Sequence, residues 1–215
     1  MSHSLHFLIT AGPTREPIDD VRFITNASSG RMGFAIAQAA LDAGHRVTLL
    51  HGPVSLTPPA ETAAESFCTV EQLSRQLGRH FDRCDVLVMA AAVGDFRVAE
   101  ADAGKFSRKD GPRRLTLVPT EDLLAAVAKR KRAGQVLVAF AAETGTPEAM
   151  AAKARAERAA KRADLVVCNP ASVMTAEAGE AAIFDADGEV LPWARRSKAD
   201  LAGELVAAAA RRAGR

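Results

Sequence analysis

Short runs that are apolar at consecutive positions alternate along this chain with longer stretches that are apolar at every third or fourth position. Leu5 to Ala11, Arg46 to His51, Asp85 to Ala90, Val136 to Ala141 and Leu165 to Cys168 would present apolar side chains on both sides of an extended backbone. That is the pattern of strands buried on both faces in a parallel sheet. Between them, Ser29 to Ala43, Val70 to Phe81, Thr120 to Arg132 and Pro147 to Ala163 have helical spacing. The β-α-β-α alternation predicts a doubly wound, mostly parallel α/β sheet. Near the end, Ala182 to Phe184 and Val190-Leu191 flank Asp187-Gly188 and predict a β-hairpin, followed by a terminal helix over Ser197 to Arg212. Gly44 closes the first helix, and Thr146-Pro147-Glu148 opens another with a cap, an N1 proline and an early acid. There is no internal repeat and no linker beyond a loop at Pro53 to Ala60, so residues 1–215 read as one domain.

Two segments are too long to be plain connections. Gly12 to Ser28 separates the first strand from its helix, where about two to six residues suffice. Phe96 to Arg114 follows the third strand and carries Lys105, Arg108, Lys109, Arg113 and Arg114 between Gly104 and Gly111, the composition of a mobile basic flap. Both leave the carboxyl ends of parallel strands, where open α/β sheets bind ligands. Ser28, Ser29 and Gly30 open the first helix, whose free amide donors and dipole suit a phosphate; the alternative is that a serine merely caps the helix. Lys105 can neutralise charge on transferring phosphoryl groups or be a solvated surface charge. Asp95 can hold ribose hydroxyls or magnesium, or cap a turn. Asn26 offers a donor and an acceptor, and Arg22 a fork for phosphate or carboxylate. The Lys-Arg run at 129 to 132 and the basic face around 155 to 162 read as solvated helix surface.

Known nucleotide fingerprints fail. Ser28 stands where a dinucleotide-binding turn needs its first glycine, the turn is too long, and the second strand ends His51-Gly52 without an acid for ribose. No Walker P-loop and no G-x-S-x-G elbow occurs. The chain has 215 residues, 48% of them hydrophobic, with 28 basic against 26 acidic residues, which fits an ordered protein and gives no basic surface for nucleic acid. Cys68, Cys84 and Cys168 are odd in number and lie in no C-x-x-C pair, so neither disulfides nor a zinc site is expected; the five histidines show no ligand spacing. No signal peptide or membrane-length apolar run is evident, so a cytoplasmic protein without membrane contact is expected.

The stretch from Ile9-Thr10-Ala11-Gly12-Pro13-Thr14-Arg15-Glu16-Pro17 through Asn26-Ala27-Ser28-Ser29-Gly30-Arg31-Met32-Gly33 closely resembles the opening motif of phosphopantothenoylcysteine synthetase, the ligase domain of the bacterial bifunctional coenzyme A biosynthesis protein. The resemblance continues, in family order, through Ala90-Ala91-Ala92-Val93-Gly94-Asp95-Phe96-Arg97, Lys105 and Phe140-Ala141-Ala142-Glu143-Thr144. It implies a Rossmann-like ligase that joins 4′-phosphopantothenate to L-cysteine through an acyl-cytidylate, with CTP (or ATP) as co-substrate and Mg²⁺. A carboxylate must become a mixed anhydride before an amine can attack it, and the anhydride must be kept from water.

Carried over by resemblance, Ser28, Ser29 and Gly30 would hold the triphosphate, while Ala91, Ala92 and Asp95 would line the nucleoside pocket with Phe140 nearby. Lys105 would stabilise the transferring phosphoryl group, Asn26 would grip the acyl carbonyl in the cysteine step, and Arg22 would contact phosphopantothenate. No metal ligands are assigned. The resemblance also implies a homodimer that completes the substrate site, and a separate flavin-dependent decarboxylase to take the product. The chain departs from the family at Pro13, at Ser107 in the flap, at Pro119-Thr120-Glu121-Asp122-Leu123 and at Asn169-Pro170. The eroded flap leaves one alternative, a non-catalytic nucleotide-binding or regulatory subunit of the same family. A flavin- or NADP-dependent reductase ranks third.

Overall fold

From Phe7 onward every residue of β1 (His6–Ala11) is buried. Phe7, Ile9 and Ala11 pack into one apolar layer and Leu8 into the other, as a strand between two helical layers requires. The computed structural model describes residues 4–101, 103–173 and 176–213. After β1 come β2 (Arg15–Pro17), β3 (Phe23–Thr25), α1 (Arg31–Asp42), β4 (Arg46–His51), β5 (Ala63–Ser66) and α2 (Val70–His80). The middle of the chain forms β6 (Val86–Met89), β7 (Phe96–Val98), β8 (Leu117–Pro119), α3 (Leu123–Ala128) and β9 (Val136–Glu143). The remainder forms α4 (Pro147–Ala160), β10 (Leu165–Pro170), β11 (Ala178–Phe184), β12 (Glu189–Ser197) and α5 (Lys198–Ala213).

The eight-stranded sheet runs β12-β11-β10-β9-β6-β1-β4-β5, parallel from β5 to β10 and antiparallel in the final hairpin. The mostly parallel α/β fold, C-terminal hairpin and terminal helix are those expected from the apolar pattern. Phe34, Ile36, Leu201 and Leu205 place α1 and α5 on one face; Leu73, Leu77, Leu123 and Met150 place α2, α3 and α4 on the other. From β1 the chain winds outward to β4 and β5, then returns to the opposite side of β1 to form β6. The loops leaving β1 and β6 therefore diverge and open a crevice between them.

Four features depart from the sequence expectation. β5 is an added edge strand; three of its four residues are exposed, so it has no apolar run to betray it. The helix expected over Thr120 to Arg132 is only Leu123–Ala128, because the Asp122 side chain accepts the Ala125 N–H and caps it two residues later. The first helix starts at Arg31, behind Gly30 in the left-handed conformation, so neither serine is in it. Both long loops contain antiparallel pairs, β2 with β3 and β7 with β8. The first pair is anchored to the α2 entrance, where Arg15 N–H donates to Cys68 O at 2.7 Å and Val70 N–H donates to the buried Glu16 carboxylate at 2.8 Å.

Gly33 sets how close α1 lies to the sheet. A Cβ there would sit 2.5 Å from the Ala11 Cβ and 3.0 Å from the Thr10 carbonyl oxygen, so only glycine lets the helix rest on the end of β1. Among the described residues, no helix is long and apolar enough to cross a membrane.

Candidate functional site

Beyond their strands the β1 and β6 loops stay paired for a few residues. Ala92 N–H donates to Gly12 O at 2.9 Å and Thr14 N–H to Ala92 O at 3.2 Å. Threonine hydroxyls reinforce the seam: Thr10 accepts from Ala91 N–H at 3.1 Å and Thr14 from Gly94 N–H at 3.0 Å. The Thr25 hydroxyl donates to Thr14 O at 2.6 Å, which brings the returning end of the first long loop back to the seam. Asn26 follows directly, and its amide nitrogen donates to Ala92 O at 3.2 Å and Val93 O at 3.1 Å. Both amide hydrogens are thus directed to loop carbonyls, and Oδ1, an acceptor, is the atom left for a ligand.

The chain then turns into α1. Ser28 Oγ accepts from Gly30 N–H at 3.3 Å, and no side chain caps the helix, whose first-turn amides have no intrahelical partner. A cavity of about 570 Å³ lies in front of this end, within the size of a small-molecule site. Of the residues singled out in the sequence, Asn26, Ser28, Gly30, Ala91, Ala92, Asp95 and Phe140 line it. Ser29 does not: its hydroxyl oxygen is buried without a hydrogen-bond partner and borders a neighbouring groove with Arg15, Val54 and Leu56. Lys105 and Arg22 stand outside the cavity wall.

The departing segment does reach the site. Thr120 donates from its hydroxyl to Gly94 O at 2.6 Å and from its N–H to Asp95 O at 2.9 Å, and Glu121 to Leu124 line the cavity. Asn169 also lines it, with its amide nitrogen donating to Pro170 O at 2.9 Å.

Arg22 and Lys105 belong to a second assembly. Asp19 is buried in the turn between β2 and β3 and accepts from Val21 N–H at 2.8 Å and Arg22 N–H at 2.7 Å. It also pairs with the Arg22 guanidinium and accepts Phe106 N–H at 3.3 Å. Burial pushes the Asp19 carboxyl up, but these hydrogen bonds and the Arg22 charge together hold it below the usual range. Arg22 in turn donates to Phe106 O at 3.2 Å, and Gly104 N–H donates to the Asp20 carboxylate at 2.9 Å. The flap is therefore tied on both sides of the exposed Lys105 to the tip of the first hairpin.

Charge is sorted along the cavity. At the α3–α4 side, Lys161 donates to Glu157 at 2.6 Å and lies 3.5 Å from Asp122. Burial lowers its pKa, but the two carboxylates raise it further, to a net value above the ordinary one. At the α1–α5 side, Lys198 is held below the usual lysine range by burial and by Arg31. Arg31 lies 3.6 Å from the largely exposed Glu177, and Arg196 donates to the carbonyls of Ala181, Pro192 and Ala194. Lys161, Arg196 and Lys198 all line the cavity, and sequence reading missed each. Lys161 sat in a stretch read as solvated surface; Lys198 sat at the start of a helix more than fifty residues from the last motif.

The three cysteines are free thiols, Cys68 exposed and the other two buried; burial pushes Cys84 up to about 12 and Cys168 up to about 11, so these two stay protonated near neutral pH. Among the described residues no group of three or more His, Cys, Asp or Glu is gathered for a metal ion.

Residues 2–212 match the family described as DFP, DNA/pantothenate metabolism flavoprotein C-terminal domain. The chain belongs to this family. It is 39% identical over 208 residues to the coenzyme A biosynthesis bifunctional protein CoaBC of Bacillus subtilis, covering 94% of this chain and 50% of that protein. Against CoaBC of Escherichia coli the identity is 36% over 210 residues, again 94% of this chain and 50% of the relative. The chain thus spans about half the length of these curated relatives. Among solved structures it is similar to the C-terminal domain of a CoaBC protein, with a TM-score of 0.78 and 31% identity, covering 96% of this chain and 94% of that one. A Cab2 mutant in complex with phosphopantothenate-cysteine shares the fold, with a TM-score of 0.81 and 20% identity over 98% of this chain and 87% of that chain.

Proposed function

We propose that the chain is a phosphopantothenate–cysteine ligase of coenzyme A biosynthesis, driven by CTP. The observation that carries this reading is that Asn26, Ser28, Gly30, Ala91, Ala92, Asp95 and Phe140, drawn from three separate family motifs, converge on one cavity at the sheet's switch point. The names of the curated relatives, which place them in coenzyme A biosynthesis, support the same pathway.

In the first half-reaction a carboxylate oxygen of 4′-phosphopantothenate attacks the α-phosphorus of CTP, the bond to the bridging oxygen breaks, and pyrophosphate leaves. In the second, the amine of L-cysteine attacks the acyl carbon, CMP leaves, and an amide forms with release of a proton. The uncapped α1 end at Ser28 and Gly30 suits the triphosphate. Ser29 is assigned to the triphosphate through the adjoining groove. Asp95 and the backbone of Ala91 and Ala92, with Phe140, would take the nucleoside. The nucleotide would enter as its magnesium complex, with the ion's ligands supplied by phosphates and water.

Lys105 would stabilise the transferring phosphoryl group, and Arg22, at the flap's anchor, would contact phosphopantothenate. Asn26 orients the cysteine amine through Oδ1. The active assembly is a homodimer. Its supporting observation is that, among the described residues, the large exposed apolar side chains, Val21, Phe23, Phe96, Leu115 and Leu117, all lie on the two excursions beside the site. A flavin-dependent decarboxylase would consume the product.

The test mixes the protein with magnesium, 4′-phosphopantothenate and cysteine, adds CTP or ATP separately, and measures pyrophosphate and nucleoside monophosphate. We expect both products from CTP, with amide formed in equal amount. Turnover with ATP alone overturns the nucleotide assignment. No turnover with either nucleotide, despite tight CTP binding, overturns the ligase reading in favour of a regulatory subunit.

A further inference from the structure

The cavity wall formed by the starts of α1 and α5 carries a cation, Lys198, that pairs with no carboxylate among the described residues. Lys198 is the first residue of α5 and Arg31 the first of α1; both line the cavity, and the two helices pack on each other. The Lys198 backbone is pinned by its N–H donating to Glu177 O at 3.1 Å, so the side chain's origin is fixed. Among the described residues, no carboxylate forms an ion pair with its ammonium. The nearby acids are otherwise placed. Glu177 lies against Arg31 and is 86% exposed, Asp200 accepts the Ser197 hydroxyl at 2.6 Å, and Glu180 is exposed on β11. Arg196 is held by three carbonyls and brings a further positive charge.

A half-buried ammonium near a guanidinium is unfavourable by itself, and an anion bound in the cavity that both line would relieve it. The segment just before Arg31 is Ser28 to Gly30, so this pair borders the same cavity as the start of α1. We propose that Lys198, together with Arg31, is a phosphate-binding residue of this site. The inference rests on the ligase reading above, which supplies two sources of a phosphoryl group: the terminal phosphates of the nucleotide and the phosphate of 4′-phosphopantothenate. The contrast with Lys161 is informative. That lysine lines the same cavity but is already neutralised by Glu157 and Asp122, so it gains less from an added anion.

The experiment compares wild type, Lys198→Gln and Lys198→Arg by calorimetric binding of CTP, CMP, 4′-phosphopantothenate and pantothenate, with thermal unfolding of the ligand-free protein alongside. Loss of one charge-assisted contact is expected to weaken the phosphorylated ligand roughly tenfold or more in Lys198→Gln. Lys198→Arg retains most of the affinity, and the ligand-free Lys198→Gln protein unfolds no lower than wild type because a like-charge contact has been removed. A loss for CTP but not CMP assigns the nucleotide's terminal phosphates; a loss for 4′-phosphopantothenate but not pantothenate assigns the other substrate. Equal binding of all four ligands by wild type and Lys198→Gln overturns the inference. Wild type that binds neither CTP nor 4′-phosphopantothenate overturns instead the ligase reading on which it rests.

Discussion

Asn26 shows how a residue legible in a motif acquires a different task once its surroundings are known. Its place between Arg22 and Ser28 marks it for the site, yet its amide hydrogens clasp Ala92 and Val93, leaving an acceptor for the ligand. The two substitutions Asn26→Asp and Asn26→Ala separate these tasks. Asn26→Asp keeps an acceptor and loses both hydrogen bonds to the loop, so stability should fall by about 1–3 kcal/mol while cysteine transfer persists in part. Asn26→Ala removes both functions, and the acyl-cytidylate should accumulate when CTP and phosphopantothenate are supplied with cysteine. Mass spectrometry of the intermediate checks this; conversion at the wild-type rate in Asn26→Ala would remove Asn26 from the second half-reaction. Lys198 was invisible for the opposite reason. Nothing in its neighbours Ser197 and Ala199 distinguishes it from a solvated helix-start lysine, and only the packing of α5 against α1 sets it beside Arg31.

Among the elements, those with a strong apolar period were legible and those stabilised by polar contacts were not. β1, β4, β6, β9 and β10 are buried on both sides, so their composition alone reports them. β2 is held by two hydrogen bonds at the α2 entrance and the β2–β3 connection by the Asp19 turn, which leave no periodicity. The same turn controls the flap. Because the Asp19 carboxyl is held below its ordinary value, its hydrogen bonds contribute fully above about pH 4, the value of an unfolded aspartate. That contribution is lost as pH falls through the lower, folded value. Hydrogen exchange at the Phe106 amide, which donates to the Asp19 carboxylate, corrected for intrinsic rates, should therefore stay protected down to about pH 4 and rise below it. Asp19→Asn should abolish this pH dependence and raise exchange at neutral pH. An identical profile in the variant would show that the flap is held by something other than the carboxylate.

For the whole molecule, the apolar side chains on the two excursions bear on assembly. If they form the homodimer contact, Phe96→Glu combined with Leu117→Glu should shift the protein from dimer to monomer in light scattering while leaving the sheet folded by circular dichroism. A wild type that is a fully active monomer at working concentration sinks the dimer. By itself the sequence determined the parallel α/β sheet, its terminal hairpin and helix, and the loops at the carboxyl ends of β1 and β6, because burial on two faces and helical spacing are local properties of composition. It also identified the family, since three motifs in order lie within the matched residues 2–212. Only the tertiary structure decided which polar groups share a cavity, that Asn26 closes the seam, that Ser29 faces a separate groove, and that Lys198 and Arg31 line one cavity wall. Those facts depend on distances between residues far apart in the chain. Hydrogen bonding and electrostatic coupling act over a few ångströms of space, whatever the separation along the sequence.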